Sequence, residues 1–231
     1  MSALHNQGII NFILENKSFS IDNIFERFPS NHGYMNVALR LLSSQGWLKR
    51  EVSQSSKEVN FTLTKSGESV LIYSHIYAQV ANLLKDISLY RYKLFSKHYT
   101  YSQNYNTATK IIKGLSEEIP GQIKFQMQGI LIGPALVALG MNDKIEEYLA
   151  ANQFTQNDID SFPLINSFAN YFIHINFLSP DFSLTELGHF FFRRAAAYGV
   201  TVSYLPMFSN QNEILFGDPH HIWKRDETGS E

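Results

Sequence analysis

The feature that most narrows the fold is a motif that occurs twice. Around Phe61 the chain reads Phe-Thr-Leu-Thr-Lys-Ser-Gly, and around Phe182 it reads Phe-Ser-Leu-Thr-Glu-Leu-Gly. Each copy alternates as a short strand does, then offers a threonine suited to cap a following helix. Before the first copy, a helical pattern stops at Gln45-Gly46-Trp47-Leu48. Before the second, one stops at Ile175-Asn176-Phe177-Leu178. Gly46 and Asn176 occupy the same place, and these residue types best tolerate the left-handed conformation that closes a helix. Helix, left-handed cap, aromatic-Leu pair, strand and threonine cap recur in the same order. That recurrence predicts one supersecondary unit used twice.

The first unit has the parts of a winged helix. Ile9, Ile10, Ile13 and Leu14 recur at helical spacing. Ser20 is placed to cap a short second helix over Ile21-Asp22-Asn23-Ile24-Phe25. Pro29-Ser30-Asn31-His32-Gly33 reads as a turn, and a third helix follows with Val37, Leu41 and Leu42 on one face. Trp47-Leu48-Lys49-Arg50 starts an extended segment, and the polar stretch from Glu51 to Asn60 leads to the strand at Phe61. In the second unit the wing shrinks to Ser179-Pro180-Asp181. The expected fold is mainly α with small β wings: two winged-helix-like units joined by a helical segment. The expected boundaries are 1–70 for the first unit, 71–160 for the helical segment, 161–205 for the second unit, and 206–231 for a linker toward a following domain.

In the joining segment, Val70 to Tyr99 is apolar-periodic through Leu83, Leu84, Ile87 and Leu94. Tyr90 to Tyr105 is rich in tyrosine, with Arg91, Lys93, Lys97 and His98 interleaved. Such a stretch suits base stacking, a small-molecule pocket or packing against a neighbouring domain. Gln122 to Leu139 predicts a buried helix broken or kinked at Pro134, and Ile145 to Ala150 another. The apolar run Ile130–Met141 is too short to span a bilayer, so no membrane association is expected. Val200-Thr201-Val202-Ser203-Tyr204-Leu205-Pro206 is strand-like, and Ile214 to Pro219 reads as an exit into a turn. Lys224 to Glu231 is polar and predicts a chain that stops where another domain begins.

Composition excludes several functions. Hydrophobic residues make up 44% of the 231, enough for a sizeable core. The net charge of -2 argues against a free-standing nucleic-acid binder. The chain has no cysteine, which removes disulfides, thiolate zinc sites and cysteine nucleophiles, and fits the reducing cytoplasm. Met1-Ser2-Ala3-Leu4-His5 lacks the basic start of a signal peptide.

The known chemical motifs are missing. No two glycines lie two residues apart, as a dinucleotide loop needs. There is no phosphate loop, no serine elbow and no histidine pair four apart. His220-His221, with Asp218 and Asp226 nearby, is the candidate metal cluster, although adjacent side chains diverge. His174 and His189 flank the second wing and read as hydrogen-bonded, partly buried histidines. Glu117-Glu118 and Glu146-Glu147 are helix neighbours that do not face each other. No catalytic, cofactor-binding or metal residue is therefore assigned. As a DNA reader, the first unit would offer His32, Tyr34, Asn36 and Arg40 to the major groove and Lys49, Arg50 and Lys57 to phosphates. One arginine on that helix is a thin footprint, and a winged-helix transcriptional regulator is the alternative reading.

Leu41-Leu42, Gly46-Trp47-Leu48 and Phe61-Thr62-Leu63-Thr64 with Gly67 resemble the N-terminal dimerisation region of small-molecule O-methyltransferases. Later segments sharpen the likeness. Gln128 to Leu139, Leu184-Thr185-Glu186-Leu187-Gly188, Tyr204-Leu205-Pro206 and Leu215-Phe216-Gly217-Asp218-Pro219 resemble the N-terminal region of polyketide synthase loading-module methyltransferases, of the apratoxin, curacin and gephyronic acid type. That resemblance implies a non-catalytic lid or adaptor. A methyltransferase core or a GNAT-like domain would follow it, and an acyl carrier protein would be its partner. S-adenosylmethionine, and in one branch iron, would belong to the following core. The isolated chain would then be no enzyme, but part of one in its parent. On this reading, Tyr198, Tyr204 and Phe208 near the end of the chain are the expected pocket-facing residues.

Overall fold

A computed structural model of the chain describes residues 1–55, 57–83 and 86–223. Leu84 of the apolar-periodic segment and the polar stretch 224–231 lie outside the described residues. The chain divides into two compact units, Met1–Ala81 with Met207–Glu231, and Asn82–Pro206.

The first unit holds a winged helix. Its helices run over Ile9–Asn16, Ile21–Arg27 and His32–Ser44. Ser20 caps the second by accepting the Asn23 N–H, while the Asn23 side chain returns to the Ser20 N–H. The third ends as its sequence predicts, with Gly46 at φ 75°. The wing is antiparallel, β2 (Leu48–Val52) against β3 (Val59–Leu63), with Leu48 opposite Leu63. A third strand, β1 (Ser18–Ser20), joins on the other side of β3 and places Phe19 opposite Phe61. The two rings stack at 5.6 Å and are fully or nearly buried. The helix Gln211–Phe216 closes this unit. Asn31, at the start of the third helix, donates from its side chain to the carbonyls of Ile214 and Gly217.

The second unit repeats this plan with a smaller sheet. Helices Lys144–Ala151, Gln156–Ser161 and Pro163–His174 take the three helical places. Thr155 caps the middle one as Ser20 does in the first unit. Asn176, at φ 61°, ends the third as Gly46 does. The sheet is reduced to two bridges, Leu178 with Leu184 and Gln153 with Ser183, which match Leu48 with Leu63 and Ser18 with Thr62. The short wing turns through Phe182 at φ 67°. Thr64 donates to the Gly46 carbonyl and accepts the Gly67 N–H; Thr185 donates to the Asn176 carbonyl and accepts the Gly188 N–H. The equivalence runs back to Lys144, well before residue 161.

The helix Tyr99–Lys113 and the apolar helix Gly121–Gly140 complete the second unit. The latter runs unbroken through Pro134. It is long and apolar enough to cross a membrane by length and composition, yet Leu131 to Leu139 are buried inside the unit, as in a core helix. Tyr90 and Tyr105 belong to the same core, 1% and 0% exposed, so packing accounts for those two of the clustered tyrosines.

Two expectations are corrected. Val200–Pro206 is not a strand: Gly199–Ser203 and Leu205–Ser209 are helical. A strand needs a neighbouring edge for its backbone groups. The ladders of the second unit, among the described residues, are only the two bridges of the wing. Helical turns complete the hydrogen bonds locally instead. The exit at Ile214 likewise begins as the helix Gln211–Phe216, and the chain turns only at Gly217.

Candidate functional site

In a winged helix the third helix is the element that meets a ligand macromolecule. The two copies here use it differently. In the first unit its core face is Met35, Leu39 and Leu42, all buried. Val37 and Leu41, expected beside Leu42, instead face outward with Tyr34, at 50%, 60% and 44% exposed. Spacing explains the error. Positions 34, 37 and 41 share one stripe and 35, 39 and 42 share another, and both stripes are apolar. Of the residues offered to DNA, Arg40 is exposed, Asn36 is half-buried and the His32 ring stacks on Phe25 at 3.8 Å. Lys49 on the wing pairs with Glu51 at 2.6 Å.

In the second unit the equivalent helix has no free face of this kind. Leu164, Ser167, Phe168 and Tyr171 are all buried. The helix Tyr99–Lys113 covers them, with Tyr105 4.9 Å from Phe168 and 6.1 Å from Tyr171 between ring centroids. The hydroxyls of Tyr90, Tyr105 and Tyr171 have no hydrogen-bond partner among the described residues. Burial raises the pKa of all three, which keeps them neutral.

A buried polar cluster braces the same unit. Asp158, 5% exposed, accepts the Tyr148 hydroxyl and the Lys144 ammonium, each at 2.8 Å. Burial pushes the Asp158 carboxyl up, but hydrogen bonds from Lys144, Thr155 and Tyr148 outweigh it and hold the pKa below the usual value. This joins the first two helices of the winged helix and is a strut rather than an acid-base pair, because the cluster is closed on itself. Sequence reading missed it, since Lys144, Tyr148 and Asp158 form no recognisable spacing.

A groove of about 500 Å³ lies elsewhere in this unit. Its walls come from the end of the Gly121–Gly140 helix, the Lys144–Ala151 helix and the segment from Phe192 to Ser203, with Arg91 in addition. The expected pocket-facing residues Tyr198, Tyr204 and Phe208 are not among those that line it. The Tyr198 ring packs where a side chain on Gly133 would otherwise go. Tyr204 is 51% and Phe208 44% exposed. Tyr204 belongs to the second compact unit and Phe208 to the first.

The histidine candidates separate. His220 pairs with Asp218 at 2.9 Å on the surface. The side chain of His221, and Asp226, lie outside the described residues. Among the described residues no group of three or more His, Cys, Asp or Glu converges to hold a metal. His189 is hydrogen-bonded as expected, its Nε2 2.6 Å from Asn152 Oδ1. This repeats the first unit, where Lys17 pairs with Glu68 at the same two positions. His174 is exposed instead, because it ends its helix on the solvent side.

Residues 1–50 match the family model of the AprA N-terminal domain, and residues 128–218 match that of the AprA winged helix domain. The second match encloses the whole repeat from Lys144 to Phe192. No curated protein matches the chain.

Proposed function

The chain is of the AprA type in its N-terminal and winged helix domains, and from that premise we propose that it is a non-catalytic lid or adaptor of a polyketide synthase loading module. The observation that carries the reading is the state of the two third helices. One is sealed inside its own unit, and the other presents Tyr34, Val37 and Leu41 with a single arginine. Apolar stripes of this kind meet protein, whereas duplex DNA selects basic ones. The partners are a following methyltransferase core or GNAT-like domain and an acyl carrier protein. S-adenosylmethionine, and iron where it is used, belong to that core. The described residues of this chain supply neither a glycine-rich loop nor a converging ligand set for them. The setting is cytoplasmic.

Gel filtration tests the reading. The chain is expected to co-elute with the separately purified following domain, and Leu41→Glu to weaken that association. Calorimetric binding of S-adenosylmethionine by the chain alone would remove the non-catalytic assignment. The regulator reading makes the opposite forecast: duplex binding that falls steeply with salt and is lost in Arg40→Ala.

A further inference from the structure

We propose that the groove of the second unit is a binding site for a medium-chain aliphatic carboxylate. Its volume, about 500 Å³, falls within the roughly 300–1,000 Å³ of small-molecule clefts. Its walls are mainly apolar: Leu136, Met141, Ile145, Leu149, Phe192 and Val202 line it. Such a surface takes a hydrocarbon chain and gains from each methylene it covers.

The charged groups in the wall select the head group. They are Arg91, Arg193 and Glu146. Two arginines against one glutamate leave one net positive charge, which matches a monoanion. Arg91 is held in place from both ends. Its carbonyl accepts the Asn142 side chain at 2.9 Å, and that side chain also donates to the Ala138 carbonyl at 2.8 Å. Its guanidinium lies 4.5 Å over the Tyr92 ring. A guanidinium fork fits a carboxylate in two parallel bonds. The ligand that pairs with these guanidinium groups and covers these walls is a carboxylate on an aliphatic chain. The site requires no partner protein, so it is independent of the adaptor reading.

Isothermal titration calorimetry of the whole chain decides the matter, with octanoate, hexanoate, acetate and octylammonium as probes. Octanoate is expected to bind and acetate to give no signal. Affinity should rise by up to about fourfold per methylene from hexanoate to octanoate. Octylammonium should bind at least about tenfold more weakly than octanoate, because the arginines repel it. Arg91→Gln should lower octanoate affinity by at least about tenfold. Ala196→Trp fills the groove from an exposed wall position and should abolish binding, with an unchanged circular dichroism spectrum. The proposal is overturned by silence with octanoate, by equal binding of octanoate and octylammonium, or by an Arg91→Gln variant that binds as the parent does.

Discussion

Gly67 and Gly188 hold the same place in the two units and carry the same constraint. A Cβ on Gly67 would stand 2.1 Å from the Trp47 carbonyl oxygen, and one on Gly188 2.0 Å from that of Phe177. Those carbonyls are occupied by the N–H groups of Thr64 and Thr185, so the backbone cannot simply withdraw. Alanine at either glycine should therefore cost about 3 kcal/mol in urea unfolding. A loss below about 0.5 kcal/mol at both would show that the close approach is not a constraint. The glycines were legible in the sequence because the motif repeats. Asp158 was not, because its partners come together only when two helices pack. Its carboxyl has a lower pKa folded than unfolded, so it binds its proton more readily in the unfolded chain. The stability it contributes is fully present above the unfolded value near pH 4 and is lost as the pH falls through the folded value. Urea midpoints from pH 7 to pH 2.5 should show this acid limb, and Asp158→Asn should flatten it. An unchanged limb in the variant would place the acid sensitivity elsewhere.

At the scale of the element, the two third helices share a role in the motif and differ in what covers them. Phe168 is fully buried beneath the Tyr99–Lys113 helix, and Leu41, on the corresponding helix, is 60% exposed. Phe168→Ala should cost about 3–5 kcal/mol. Leu41→Glu should change stability by no more than about 0.5 kcal/mol. Thermal denaturation of the two variants separates these outcomes, and a large loss in Leu41→Glu would mean that the stripe belongs to the core. Periodicity located both helices but could not say which face was inside. Val37 and Leu41 are as apolar as Leu39 and Leu42, so hydrophobic spacing supports either face. Strand-like alternation failed at Val200–Pro206 for a related reason. It describes side chains, whereas a strand exists only where another edge completes its hydrogen bonds.

Over the whole molecule, the near-neutral charge and the absent cysteine restricted the chemistry before any fold was considered. The repeat then supplied the architecture. Local signals were sufficient for the caps at Ser20, Gly46, Thr64, Asn176 and Thr185, because each depends on a few neighbouring residues and one backbone conformation. The reduced wing was legible for the same reason, since three residues between two strand signals leave no room for a longer one. The extension of the second repeat back to Lys144 was not legible. Its first helix and Gln153 share no motif with Ile9–Asn16 and Ser18, and tertiary contacts such as the bridge from Gln153 to Ser183 reveal the equivalence. The groove and its arginine were hidden in the same way. Arg91 reaches the walls around Leu136 and Val202 across long stretches of chain, and no local pattern encodes that approach. The sequence by itself determined which units form, because turns, caps and alternation are local. Only the tertiary structure decided which helix faces are covered and where a cavity opens, because those depend on which distant surfaces exclude water from each other.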